Sequence, residues 1–264
     1  MQISVARSIG FCSGVKRAIE IVNQLIKEKR KDIFCFGPII HNELVQEKLK
    51  KKGVNTIYSL KEIKNPAWLI LPSHGATRHT LKIAKRKKLN IIDATCPNVA
   101  SLQRICQQLH KQKYQIIILG DKGHPEIKAL LSIAPEAAVI KDKSELKKIT
   151  LSSHVVLISH TTQNLEKFQS LINNLFKYNG QIKELRIFNT ICLDSIRRQK
   201  EVKLLASQND AVFIVGSSSS ANTKRLLRIS RRINKHSYLI KQPDEAVKNL
   251  KLDFKKIGII SGAS

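Results

Sequence analysis

The sequence predicts an α/β protein built on mostly parallel sheets. Three observations carry this. Short apolar runs of four or five residues alternate with amphipathic stretches long enough for helices. Glycine, proline and small polar residues cluster after nearly every apolar run. Hydrophobic residues make up 42% of the 264-residue chain while aromatics make up 5%, so Ile, Leu and Val must fill a core of ordinary size.

Taken in order, strands are expected at Ile3–Ala6, Ile33–Phe36, Trp68–Leu71, Asn90–Ile92, Gln115–Leu119, Val155–Ser159, Ala211–Val215 and Ile257–Ile260. Helix-like stretches follow most of them, such as Val15–Glu28, Thr77–Lys88, Val99–His110, Leu165–Tyr178, Ile196–Ser207 and Thr223–Lys235. Linkers are short and no low-complexity tail is evident. No segment approaches the ~20 apolar residues of a membrane span, and the first residues read as a strand rather than a targeting segment. A cytoplasmic protein with reduced thiols is expected.

The formal charge is +27. Such basicity suits a nucleic-acid or membrane-surface partner. It equally suits solvated helix ends, because the runs Lys27–Lys31, Lys50–Lys52 and Lys85–Lys88 fall late in or just after expected helices, where cations meet the helix dipole. The charge is spread along the chain and no aromatics interleave with it as base-stacking platforms would. The second reading is preferred; neither nucleic acid nor membrane is expected as a partner.

The polar punctuation falls at the carboxyl ends of the expected strands, where open α/β sheets bind ligands. Among the five cysteines, Cys12, Cys96 and Cys192 recur at intervals of 84 and 96 residues, each between a strand and a helix. A helix N-terminus favours the thiolate, the metal-binding form. Three such junctions suggest three similar units, each giving one cysteine to a common centre. Cys35, inside a strand, and Cys106, inside a helix, read as core residues. Three thiolates without a local Cys-x-x-Cys pair do not resemble a zinc finger. They suit a cubane iron–sulfur cluster with one iron lacking a protein ligand, which could act as a Lewis acid toward a substrate oxygen.

His41, His74 and His124 each follow a strand, and read as donors to an anion or as metal ligands. Glu126 is either a general acid in an apolar site or a helix N-terminal charge beside Pro125. The Gly216–Asn222 loop offers hydroxyls and N–H groups before a helix, a generic phosphate cradle.

Together these motifs resemble the 4-hydroxy-3-methylbut-2-enyl diphosphate reductase (LytB-type) family. The matching stretches are Gly10-Phe11-Cys12-Ser13-Gly14-Val15, Ile40-His41-Asn42, Ser73-His74-Gly75, Asp93-Ala94-Thr95-Cys96-Pro97, Gly123-His124-Pro125-Glu126, Thr161-Thr162, Thr190-Ile191-Cys192 with Arg198-Gln199, Val215 through Asn222, and Gly262-Ala263-Ser264. They run in order along the whole chain. The resemblance implies three αβα units in a pseudo-threefold cloverleaf around one four-iron, four-sulfur cluster: residues 13–96, 97–191, and 192–264 plus 1–12. It implies that Cys12, Cys96 and Cys192 bind the cluster. Glu126 would be the proton donor, with Thr161 in its hydrogen-bond network and His124 beside it. His41, His74, His124, Thr161, Ser220, Asn222 and Ser264 would contact the substrate. The implied reaction removes an allylic hydroxyl with two electrons and two protons, yielding isopentenyl and dimethylallyl diphosphates. The implied electron donor is a ferredoxin or flavodoxin.

The chain departs from the family pattern in places. His160-Thr161-Thr162 stands where Gln-Thr-Thr is usual, Asp194-Ser195 where Ala-Thr is common, and Ala221 where serine is common. Relatives continue into a helical segment where this sequence stops at Ser264, so a C-terminal truncation that weakens substrate binding is expected. Two rival classes are a degenerate family member that keeps its cluster without turnover, and a basic nucleic-acid-binding α/β protein.

Overall fold

The computed structural model describes residues 1–178, 182–242, 244–245 and 254–264. Twelve strands among these form three four-stranded sheets in which every pairing is parallel. The strands are β1 (Gln2–Val5), β2 (Ile33–Phe36), β3 (Val54–Ile57), β4 (Trp68–Leu71), β5 (Asn90–Asp93), β6 (Gln115–Leu119), β7 (Ala138–Ile140), β8 (His154–Ser159), β9 (Glu184–Ile187), β10 (Ala211–Val215), β11 (Ser237–Ile240) and β12 (Lys256–Ser261). The helices are α1 (Ser13–Lys27), α2 (Glu43–Lys51), α3 (Arg78–Arg86), α4 (Pro97–Lys111), α5 (Pro125–Leu131), α6 (Leu165–Leu175), α7 (Leu193–Gln208) and α8 (Ala221–Arg231). A 3-10 turn, Phe176–Tyr178, replaces the last turn expected for α6.

Strand order repeats. One sheet runs β3-β2-β4-β5 and another β7-β6-β8-β9. The third runs β11-β10-β12-β1, so the first strand of the chain takes the fourth place beside strands from its end. Each sheet is thus ordered second, first, third, fourth. This order has a switch point between its first and third strands, where neighbouring loops diverge and leave a crevice.

By packing, the described chain divides into two compact units. Met1–Lys16, Ile40–Glu47 and Cys192–Ser264 form one; Arg17–Ile39 and Lys48–Ile191 form the other. In the first, α7 and α8 bury Val202, Leu205, Ala206, Leu226 and Ile229 against Val212, Ile214 and Ile260 of the sheet. In the second, α4 turns Leu102, Cys106 and Leu109 onto Ile116, Ile118, Val156 and Ile158. This i, i+4, i+7 spacing places the three on one helix face. Each fully buried aliphatic side chain contributes about 1.5–3 kcal/mol through removal from water.

The eight expected strands are present, with ends shifted by at most a residue. Four strands escaped the sequence reading: β3, β7, β9 and β11. All four are sheet edges. An edge strand needs few apolar residues, and the middle two residues of β3, Asn55 and Thr56, are exposed. The lysine runs lie at helix ends: Lys27 ends α1, Lys48, Lys50 and Lys51 end α2, and Lys85 with Arg86 end α3. Among the described residues, no helix is long and apolar enough to cross a membrane.

Candidate active site and cysteine centre

Repeated strand order gives each loop a repeated role. The cysteines follow the fourth strand of each sheet: Cys12 follows β1, Cys96 follows β5 and Cys192 follows β9. Each is the residue just before a helix. The Cys12 carbonyl accepts from Lys16 N–H in α1 (2.9 Å), that of Cys96 from Ala100 in α4 (2.9 Å), and that of Cys192 from Ile196 in α7 (3.0 Å). All three are half-buried. Cys12 and Cys192 lie in one compact unit and Cys96 in the other.

Cys35 and Cys106 differ in kind. They are fully buried in the core, as mid-element placement predicts. Desolvation pushes the Cys35 thiol up to about 12 and is the main cause raising Cys106 to about 11. Both stay protonated near neutral pH and do not offer thiolates.

In each sheet the loop after the fourth strand is tied to the loop or end of the third. Cys12 N–H donates to Ala263 O (3.1 Å) and Gly10 N–H to Ser261 Oγ (2.7 Å). Cys96 N–H donates to Ser73 O (2.9 Å). Thr190 Oγ1 donates to Ser159 O (2.6 Å) and accepts from Ser159 N–H (2.9 Å). These bonds orient the cysteine-bearing loops beside the switch-point loops.

The remaining candidates follow the first and third strands. His41 follows β2 and His74 follows β4; both are half-buried. His124 and Glu126 follow β6, and Thr161 follows β8. Ser220 and Asn222 follow β10, and Ser264 follows β12.

Glu126, Thr161 and His124 meet. Glu126 is 5% exposed, and its carboxylate accepts from Thr161 N–H at Oε2 (2.8 Å) and from Thr161 Oγ1–H at Oε1 (2.7 Å). His124 caps α5, accepting at Nδ1 from Glu126 N–H (3.3 Å). A hydroxyl both donates and accepts. Thr161 Oγ1 can therefore keep its bond whether or not Oε1 carries a proton. Glu126 is thus both a first-turn helix charge and a buried carboxyl whose hydroxyl partner can serve either protonation state.

Potential ligand atoms of His124, Glu126 and His160 lie within 4.8 Å of one another, so this group could hold a metal ion. In the structure they are engaged otherwise: the two rings stack, and both Glu126 oxygens accept from Thr161.

Around α8, Ser220 caps the helix by accepting from Thr223 N–H (3.3 Å), and Ser264 Oγ donates to Ser220 Oγ (3.0 Å). Asn222 is 3% exposed; its Oδ1 accepts from Ser195 Oγ (3.3 Å), while its Nδ2 is buried without a hydrogen-bond partner among the described residues. A buried donor left so costs about 1–3 kcal/mol, which a bound anion would relieve. Gly262 packs so tightly on Thr223 that a Cβ there would collide with Thr223 Oγ1. Ser217 Oγ donates to Glu43 Oε1 (3.0 Å), and Lys241 Nζ lies 3.2 Å from the same carboxylate. These partners, Ser217 foremost, hold the Glu43 carboxyl below its ordinary value.

Arg198 was visible only as part of a motif. It is 2% exposed and lies on the buried face of α7 with Ser195, Gln199 and Val202. Its guanidinium donates to Asp194 Oδ2 (2.8 Å), Ser261 O (2.8 Å), Gly262 O (3.2 Å) and Gly10 O (2.9 Å). It clamps the Cys12 loop, the β12 loop and the helix behind Cys192. An arginine in register with Val202 and Leu205 on the buried helix face was the available signal.

The LytB protein family profile matches residues 3–264. The 4-hydroxy-3-methylbut-2-enyl diphosphate reductase of Campylobacter lari is 39% identical over 266 residues, spanning 100% of this chain and 93% of the relative. That of Campylobacter jejuni subsp. doylei is 40% identical with the same coverage. The solved E-1-hydroxy-2-methyl-but-2-enyl-4-diphosphate reductase from Plasmodium falciparum superposes with a TM-score of 0.89 at 29% identity, covering 100% of this chain and 83% of that one. A solved (E)-4-hydroxy-3-methyl-but-2-enyl diphosphate reductase, described as the terminal enzyme of the non-mevalonate pathway, gives 0.70 at 32% identity, covering 100% and 94%. With the profile matching nearly every residue and relatives of this identity spanning the chain, the protein belongs to the LytB family.

Proposed function

We propose that this chain reduces 4-hydroxy-3-methylbut-2-enyl diphosphate, replacing its allylic hydroxyl by hydrogen to give isopentenyl and dimethylallyl diphosphates. Two electrons and two protons enter; one proton leaves with the hydroxyl as water and the other ends on carbon. The observation that carries the reading is the repeated placement of Cys12, Cys96 and Cys192, each half-buried after a fourth strand and before a helix. This donor set fits a four-iron, four-sulfur cluster with one iron open, and the core thiols Cys35 and Cys106 do not compete for it. Such a cluster, when bound, supplies the electrons and a Lewis-acidic iron.

The chain's own residues supply the rest. The Glu126 carboxyl, held by Thr161, is the proton donor. His124, its Nδ1 engaged by the backbone, presents Nε2–H as a donor beside it. Ser220, Asn222 and Ser264, with the N-terminal N–H groups of α8, hold the diphosphate, and the orphaned Asn222 Nδ2 supports this. His41 and His74 serve as further substrate donors. A ferredoxin or flavodoxin in the cytoplasm is the proposed electron source. The net charge of +27 would speed encounter with an anionic substrate without selecting it.

The test is anaerobic purification with iron and sulfide analysis, followed by turnover with a reduced dye. A brown protein that converts the substrate is expected. A colourless protein that binds RNA in a salt-sensitive way would overturn the reading. A loaded protein without turnover would favour the degenerate alternative.

A further inference from the structure

His160 stands where the family pattern places glutamine, and it occupies the proton-delivery site. Its ring is 3% exposed and stacks on His124, with centroids 4.5 Å apart and planes 20° from parallel. The space is matched to an aromatic ring. A Cβ on Gly120 would lie 3.1 Å from His160 Cδ2 and 2.6 Å from Ile127 Cδ1, so the glycine lets the strand end pass close to this ring and any side chain there would make Ile127 shift.

The hydrogen bonds define the protonation of this ring. Gln163 Oε1 accepts from Asn164 N–H (2.8 Å), which turns the amide so that Nε2 faces His160 Nε2 (3.4 Å). An amide nitrogen only donates, so His160 Nε2 must accept and its proton sits on Nδ1. Thr162 Oγ1, 3.1 Å from Nδ1, then accepts that proton's bond. Both ring nitrogens of His160 thus have a partner, which fixes the ring plane against His124. His124 is also fixed, because Nδ1 accepts from Glu126 N–H and the proton must lie on Nε2.

We propose that His160 is a positioning residue, a tautomer-locked platform that holds the His124 ring face-on and so aims His124 Nε2–H within the proton-delivery site. This rests on the functional reading above for what the aimed proton serves. The lock itself does not depend on turnover.

The experiment is 15N-histidine NMR on the intact, cofactor-loaded protein from about pH 5.5 to 8, the range over which an unperturbed histidine titrates. His160 is expected as the Nδ1–H tautomer and His124 as the Nε2–H tautomer. Gln163→Glu keeps the bond to Asn164 and offers His160 a carboxylate oxygen. It should move the His160 proton to Nε2, where the carboxylate accepts it, and so invert the His160 tautomer signal. His160→Ala should release the His124 tautomer and lower kcat about tenfold with a smaller change in KM. His160→Phe, which restores a ring face, should recover most of that loss. A wild-type His160 that carries Nε2–H overturns the proposal, as does a His124 signal unchanged in His160→Ala. Absence of reductase turnover in a wild-type protein with the expected tautomers would instead overturn the functional reading.

Discussion

Replacing Arg198 by Met tests whether one buried guanidinium holds the cysteine-bearing side of its unit together. Methionine keeps much of the apolar stem and removes the cation. The carbonyls of Gly10, Ser261 and Gly262 each lose a donor within 3.2 Å, and Asp194 loses its ion-pair partner at 2.8 Å. A hydrogen bond to a charged group contributes about 1.5–3 kcal/mol, and these do not simply add because they share one side chain. Breaking a buried pair by removing one partner costs about 3–5 kcal/mol. Asp194 is 32% exposed and can rehydrate, which places the expected loss toward the lower end, about 3 kcal/mol. In a protein of this size that lowers the melting temperature by roughly 6–12 °C. Calorimetry or circular dichroism on the loaded protein measures it, with iron content followed in parallel because the Cys12 loop should loosen. Arg198→Lys should recover only part, since an ammonium cannot reach carbonyls on both sides as a planar fork does. A loss below about 1 kcal/mol with full iron content would refute the clamp.

Other outcomes follow from the same geometry. Glu126→Gln should keep cluster and substrate binding but lose turnover by ~100-fold or more, the scale of a general acid, as followed by product formation against iron content. Asn222→Ala should weaken diphosphate binding about 5- to 30-fold, the equivalent of ~1–2 kcal/mol, in a substrate titration with the cluster spectrum unchanged. Ser replacement of Cys12, Cys96 or Cys192 should abolish normal iron and sulfide content, whereas Cys106→Ser should not. Stability should fall at alkaline pH. The Cys35 thiol is raised in the folded state to about 12, so its contribution is complete below the unfolded value of about 8.5 and is lost as pH rises toward the folded one. Comparing urea unfolding of wild type and Cys35→Ala from pH 8 to 11 should show a steeper decline in the wild type.

The sequence alone determined the α/β class and the strands that run through sheet interiors. β2, β4, β6, β8, β10 and β12 are each flanked by two strands and mostly buried, so their apolar runs are continuous and local. The edges β3, β7, β9 and β11 were illegible because half-exposed, short strands carry little hydrophobic pattern, and only pairing with a neighbour defines them. Residue types at strand ends were also readable, since glycine, serine, histidine and cysteine there interrupt periodicity and leave a local trace. Tertiary structure alone decided which of them meet. Thr161 reaches Glu126 across 35 residues, and Arg198 reaches Gly10 across 188. His160 shows the division most plainly. In sequence it is one departure from a family pattern. In the fold, a glycine on one strand end, an amide at the start of α6 and a ring before α5 converge on it. Hydrogen bonds and ring contacts between residues far apart in the chain are set by sheet order, and no local pattern records that order.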